Sequence, residues 1–239
     1  MQKKEFFLSK TKGGLIVSCQ ALETEPLHSS YIMSRMAYAA KLGGACGIRA
    51  NSVEDIRAIR ATVDLPMIGI IKQEIASSPV YITPTEASVG YLVECGVEVI
   101  ALDATCRPRP DGRSLDEFFA VLRKRYPDQP FMADCSTYEE GIHAREIGFD
   151  LVGTTLCGYT DYTKGTSLPD FELIARLGAD LHLPLIAEGG IWSPEALKKV
   201  LSTPGVHAAV IGSAITRPME ITRHFVAAAR EARAEQEGV

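Results

Sequence analysis

The stretch Pro184-Leu-Ile-Ala-Glu-Gly-Gly-Ile191 runs four apolar residues into a glutamate and then into two glycines. A short unbroken apolar run has the pattern of a strand covered on both faces. This one ends on a carboxylate, and the next two positions carry no side chain. Similar runs recur along the chain. Gly14–Cys19, Ala45–Ala50, Pro66–Ile71, Val97–Leu102, Phe131–Asp134, Leu151–Thr155, Leu183–Ala187 and Ala208–Gly212 make eight candidate strands.

Helix punctuation separates them. Thr83-Pro-Thr-Glu86, Ser114-Leu-Asp-Glu117 and Ser136-Thr-Tyr-Glu139 each set a hydroxyl three residues before a glutamate, so that two orphan N–H groups are satisfied reciprocally. Ser193-Pro194 and Arg217-Pro218 put proline at first helical positions, where its missing N–H costs nothing. Gly43, Gly96, Gly148 and Gly178 are expected just past helix ends. Strand then helix, eight times over, predicts an α/β fold of the closed (β/α)8 TIM barrel type. An open doubly wound sheet is the alternative, but no G-x-G-x-x-G follows any strand. No linker or low-complexity tract divides residues 1–239, so one domain is expected, with residues 1–12 a short plug or helix before the first strand.

Composition narrows the function. With 46% hydrophobic and 23% charged residues, the 239-residue chain has material for a sizeable core. A net charge of -5 leaves no basic footprint for nucleic acid or an anionic membrane, so a small-molecule partner is expected. The patch Phe6-Phe7-Leu8 is too short for a signal peptide or a spanning helix, which points to the cytoplasm. Cys19, Cys46, Cys95, Cys106, Cys135 and Cys157 form no C-x-x-C and have no histidine at ligand spacing. They read as reduced, mostly buried hydrophobes rather than a metal site.

In such a barrel the chemistry sits where strands end. Those ends carry Gln20, Arg49, Lys72, Asp103, Asp134, Thr154 and Thr155, Glu188, and Gly212-Ser213. Any one of them alone reads equally well as a loop-orienting polar group; as a set they bring complementary charges to one rim. Strands three and seven lie four apart in a ring of eight, so Lys72 and Glu188 are expected to face each other as proton acceptor and donor. Burial and Arg49 would lower the lysine pKa, and burial would raise that of the glutamate. Asp134 is expected between them, binding hydroxyls or steadying the lysine. A Schiff base is the rival role for Lys72.

Gly189-Gly190 and Gly212-Ser213 fall in the seventh and eighth loops, where barrels commonly bind phosphate on bare N–H groups. Arg217 adds a charge-assisted contact, so a phosphorylated ligand is expected, although glycine also serves turn conformation. The polar loop Cys157–Ser167 is longer than the barrel needs and reads as a substrate cover, whereas Ala104–Gly112 reads equally as a solvated turn.

Ile68-Gly-Ile-Ile-Lys72, Met132-Ala-Asp-Cys-Ser-Thr137, Gly153-Thr-Thr-Leu-Cys-Gly-Tyr-Thr160, Ile186-Ala-Glu-Gly-Gly190 and Val210-Ile-Gly-Ser-Ala-Ile-Thr-Arg-Pro218 together resemble the motifs of the bacterial N-acetylmannosamine-6-phosphate 2-epimerase family, over essentially the whole chain. The resemblance implies interconversion of N-acetylmannosamine 6-phosphate and N-acetylglucosamine 6-phosphate in sialic acid breakdown, without a cofactor. It implies Lys72 as base at C2 and Glu188 as the complementary acid/base. Arg49 and Asp134 would stabilise the enediolate-like intermediate and position hydroxyls, Gln20 would contact the sugar or acetamido group, and Tyr159 would bind the substrate. Two alternatives stay open: another phosphosugar isomerase, decarboxylase or Schiff-base lyase, and a non-catalytic phosphosugar sensor. A homodimer through outer helices is a general expectation for barrel enzymes.

Overall fold

In the computed structural model, which describes residues 2–237, eight short parallel strands alternate with helices. The strands are β1 Leu15–Cys19, β2 Gly47–Asn51, β3 Met67–Ile70, β4 Val99–Asp103, β5 Phe131–Asp134, β6 Leu151–Gly153, β7 Leu185–Glu188 and β8 Val206–Ile211. Helix α1 (Lys3–Thr11) precedes them, and α2 (Ser30–Leu42), α3 (Val53–Arg60), α4 (Glu86–Glu94), α5 (Leu115–Arg125), α6 (Tyr138–Glu146), α7 (Phe171–Asp180) and α8 (Pro194–Leu201) link them. The chain finishes with α9 (Ser213–Thr216) and α10 (Pro218–Glu237). Each strand pairs with the next, and β1 pairs with β8 through Leu15↔Ala209, Ile16↔Val210 and Val17↔Ile211, which closes the barrel. The sheet thus has no edge, and the open alternative is excluded.

Strand parity decides what each residue faces. Ile16, Ile68, Ile70, Val99, Ala101, Met132, Leu151, Ile186, Ala208 and Val210 form the barrel's inner cluster. Val17, Ile48, Ala133, Val152, Ala187 and Ala209 belong to the larger cluster under the helices. A residue two positions beyond an inner filler shares its face. Lys72 therefore follows Ile70, Asp134 follows Met132, and Glu188 follows Ile186, all toward the mouth. Phe7 of α1 is fully buried in that same inner cluster, so the N-terminal extension plugs the opposite end. Burying one such ring contributes about 1.5–3 kcal/mol.

The helix signals hold with local corrections. Ser114 and Glu117 make the expected capping box, and Ser193-Pro194 and Pro218 open α8 and α10. The box assigned to Ser136 and Glu139 lies one residue later, on Thr137 and Glu140. The cap assigned to Thr83 belongs to Thr85, whose side chain accepts from Ser88 N. Thr83 instead sits fully buried at φ 47, donating to Ala101 O at 2.7 Å. Gly96 and Gly148 follow helix ends at positive φ, whereas Gly178 lies inside α7. It is small because Pro204 approaches: a Cβ there would sit 2.2 Å from Pro204 O. All six cysteines are free, with Cys19, Cys135 and Cys157 buried and Cys106 exposed.

Helix α10 departs from the regular pattern. Most of its residues are exposed, including Phe225 at 70% and Val226 at 42%. It touches the barrel rim through His224, which stacks on Trp192 with ring centroids 4.9 Å apart. Among the described residues no helix is long and apolar enough to cross a membrane.

Gly205 offers a test of the α7–β8 packing. It has φ +86, and a Cβ would lie 2.0 Å from Gly178 O, while Gly165 has φ +90 with nothing within 4 Å. Gly165→Ala adds only backbone strain of about 1–3 kcal/mol. Gly205→Ala adds a backbone clash, and denaturant unfolding should place it below Gly165→Ala by a further 1 kcal/mol or more, roughly. Equal midpoints for the two variants would refute the close approach.

Candidate active site

A cavity of about 330 Å³ opens at the C-terminal mouth, and six of the eight strands, β1, β2, β3, β6, β7 and β8, bring a polar residue to its wall at or just beyond their ends. Lys72 and Glu188 both line it, from β3 and β7 on opposite sides of the ring. Gln20, Arg49, Tyr159, Gly189, Gly190, Gly212, Ser213 and Arg217 line it as well. Asp134 does not: its side chain is fully buried beneath Arg49.

Arg49 is the centre of the floor. Its side chain is 1% exposed and bonds Asp134 through both terminal nitrogens, at 3.1 and 2.6 Å. Its Nη1 also lies 3.2 Å from Glu188 Oε2. Thr155 Oγ1, with one hydrogen to give, sits 2.7 Å from Asp134 Oδ1 and 3.0 Å from Glu188 Oε2. Gly153 makes room for this arrangement, since a Cβ there would fall 2.2 Å from Met132 Cε and 3.4 Å from Asp134 Oδ1. Burial opposes the charge on Arg49, but Asp134 and Glu188 outweigh it and hold the guanidinium protonated.

The two expected proton-transfer groups are shifted toward each other. Burial, with Arg49 adding repulsion, lowers the Lys72 pKa to about 8. Burial raises the Glu188 carboxyl above the usual range, reinforced by Asp134 and opposed by Arg49. Among the described residues, the Lys72 ammonium has no hydrogen-bond or ion-pair partner. Its position is set by the main chain: Lys72 N donates to Asn51 Oδ1 at 2.8 Å, and Lys72 bridges to Ile82 in an antiparallel hairpin after β3.

The glycine pair after β7 has a conformational cause as well as a site position. Gly189 and Gly190 have φ 111 and 66, and a Cβ on Gly190 would lie 2.3 Å from Leu168 Cβ. Among the described residues neither glycine N–H donates a hydrogen bond, so both remain open to a ligand at the cavity wall. Arg217 is held by Glu25 through two bonds of 2.7 and 2.6 Å. Burial alone would raise the Glu25 carboxyl, yet Arg217 brings it below its usual range. Gln20 donates to Ser18 Oγ at 2.7 Å, and Tyr159 is 60% exposed at the rim.

The loop after β4 is not a solvated turn. Arg107 pairs with buried Asp103 at 2.5 Å, and Arg109, 3% exposed, stacks 3.8 Å from the Phe118 ring and donates to Asp103 O. The loop after β6 is anchored by Tyr162, which donates to Glu140. Ser18, Glu25, Tyr81 and Trp192 also line the cavity. Sequence reasoning missed them: Ser18 lies within β1, and the other three lie in loops without a strand-end signal. Parity alone would have found Ser18, two residues beyond the inner filler Ile16.

The family described as "Putative N-acetylmannosamine-6-phosphate epimerase" matches residues 33–231. Proteins described as "Putative N-acetylmannosamine-6-phosphate 2-epimerase" are similar along nearly their full lengths. That of Caldanaerobacter subterraneus is 51% identical over 226 residues, 95% of each chain. That of Clostridioides difficile is 54% identical over 221 residues, covering 92% of this chain and 98% of the other. The solved N-acetylmannosamine-6-phosphate 2-epimerase of Clostridium perfringens superposes with a TM-score of 0.87 at 50% identity, covering 92% of this chain and 94% of that one. An eight-stranded closed barrel with these residues at its mouth, matched end to end at half identity, belongs to the N-acetylmannosamine-6-phosphate 2-epimerase family.

Proposed function

We propose that this protein interconverts N-acetylmannosamine 6-phosphate and N-acetylglucosamine 6-phosphate by moving the C2 proton of the opened sugar from one face to the other. The observation that carries the reading is the unpaired Lys72, lowered to about 8, across one cavity from Glu188, whose carboxyl is raised. A base and an acid so tuned work near neutral pH.

Ring opening makes C1 an aldehyde, which acidifies the C2–H bond. Neutral Lys72 takes that proton, the bonding pair moves into C1–C2, and negative charge gathers on the C1 oxygen. Arg49, kept charged and oriented by Asp134, stabilises that oxygen. Asp134 acts through Arg49 rather than on a hydroxyl, because it has no face on the cavity. Glu188 returns a proton from the opposite side or serves the sugar oxygens during ring opening. Gly189, Gly190, Gly212 and Ser213 offer backbone N–H groups to the phosphate, and Arg217 faces it while tethered to Glu25. Gln20 and Tyr159 contact the sugar between these ends. We assign the reaction to amino sugar catabolism in the cytoplasm and the working form to a homodimer. The dimer reading is supported by the apolar side of α10, where Phe225 and Val226 are uncovered.

Incubation with N-acetylmannosamine 6-phosphate in D₂O should place deuterium at C2 of both sugars without carbon–carbon cleavage. Lys72→Ala should lose this exchange by about 10²–10⁴-fold while keeping its fold and phosphosugar binding. Near-wild-type turnover in that variant would sink the assignment, and borohydride trapping of substrate on Lys72 would point to a lyase. A lysine base must be neutral to act, so kcat/KM should rise with pH through about 8 and level off above it. An unperturbed lysine would place that limb near about 10.4, and a profile still climbing there would contradict the tuned base. Sedimentation should give twice the chain mass for the wild type and a shift toward monomer for Phe225→Glu. A wild-type monomer at micromolar concentration would remove the dimer.

A further inference from the structure

Tyr81 is a cavity residue to which the proposed mechanism gives no task. It lies in the hairpin that follows β3, where Gln73 N donates to Tyr81 O at 2.9 Å and Lys72 bridges to its neighbour Ile82. The ring is half-buried and lines the cavity. Its phenol finds no hydrogen-bond partner among the described residues. An unpartnered hydroxyl facing a cavity is a donor open to a ligand.

Other polar groups near Lys72 already bond one another. Both terminal nitrogens of Arg49 are held by Asp134 and Glu188, and the Thr155 hydroxyl is shared between the same two carboxylates. Arg107, whose Cζ lies 6.0 Å from the Tyr81 ring centroid, is paired with Asp103. Tyr81, which follows β3, is a neutral donor that remains on the Lys72 side of the cavity. Burial, reinforced by Asp103 and Asp134, pushes its hydroxyl up to about 12. A phenol that weakly acidic does not exchange a proton during turnover; it donates a hydrogen bond and keeps it.

Position then selects the acceptor. Gly189, Gly190 and Gly212 lie at the ends of β7 and β8, and Tyr81 follows β3, four strands away from β7. A substrate anchored by its phosphate at β7–β8 and presenting C2 to Lys72 directs the C2 substituent to the β3 rim. We propose that Tyr81 donates the hydrogen bond that holds the acetamido carbonyl of the substrate, making it a residue that selects N-acetylated over free-amine sugar phosphates. This rests on the epimerase reading above. A carbonyl oxygen remote from the bond changes carries the same charge before and during proton transfer, so the contact contributes equally to ground and transition states.

Tyr81→Phe removes one hydroxyl that no protein group uses, and its thermal unfolding should match the wild type. Its KM for N-acetylmannosamine 6-phosphate should rise by about three- to tenfold, the worth of one neutral hydrogen bond, with kcat nearly unchanged. Competitive inhibition by glucosamine 6-phosphate, which lacks the acetyl group, should be equal in the two proteins. A fall in kcat at constant KM would move the phenol to the C1 oxyanion and overturn the proposal. Unchanged KM and kcat, or equally weakened glucosamine 6-phosphate inhibition, would overturn it too. Wild-type protein that exchanges no deuterium at C2 would instead bring down the epimerase reading itself, which separates the two failures.

Discussion

Arg49 and Asp134 bring a full positive and a full negative charge into the barrel mouth at 1% and 0% exposure, and the rest of the site is arranged around that burial. Taking such a pair out of water is tolerated only when geometry and further hydrogen bonds compensate. Here two guanidinium–carboxylate bonds, the Glu188 contact and the Thr155 hydroxyl supply them. The pair is neutral within itself, so Glu188 adds a negative charge and Lys72 a positive one beside a fixed ionic floor. Burial disfavours both charges, which is why the lysine is pushed down and the glutamate up. Each group is thereby brought nearer the pH at which it exchanges a proton with a bound substrate.

The loops around this floor are joined by buried polar groups rather than by sheet. Glu140 accepts from Ser136 N and Oγ, Thr137 N, Cys106 N and Tyr162 OH, so one carboxylate ties the loops after β4, β5 and β6. Arg109 donates to Asp103 O and to Thr83 O and Pro84 O, joining the loop after β4 to the β3–α4 segment. Glu25 and Arg217 join the loop after β1 to the end of α9. Each of these groups would be expensive to bury without its partners. These contacts frame the cavity that Tyr81, Tyr159 and Arg217 line.

Some of this was legible in residue pattern and some was not. Ser114-Leu-Asp-Glu117 marked a real capping box because everything it needs lies within four residues. In Ser136-Thr-Tyr-Glu139 two adjacent hydroxyls precede two adjacent glutamates, and only the fold chose Thr137 with Glu140. Gly178 carries the same residue type as a helix terminus, but its smallness answers to Pro204 from another part of the chain. Asp134 was correctly placed at a strand end, yet its burial under Arg49, 85 positions away, was invisible. Glu25 and Tyr81 gave no signal, since neither ends a strand.

The sequence by itself determined the eight strand–helix units, the face each strand residue takes, and the gathering of Lys72, Arg49, Asp134 and Glu188 at one rim. These follow from periodicity two and from the closure of parallel strands, both local or topological rules. Only the tertiary structure decided which charges touch, which carboxylate is sealed away, and which loop side chains reach the cavity. Those outcomes depend on distances between residues far apart in the chain and on the water each position excludes, and no local pattern encodes either.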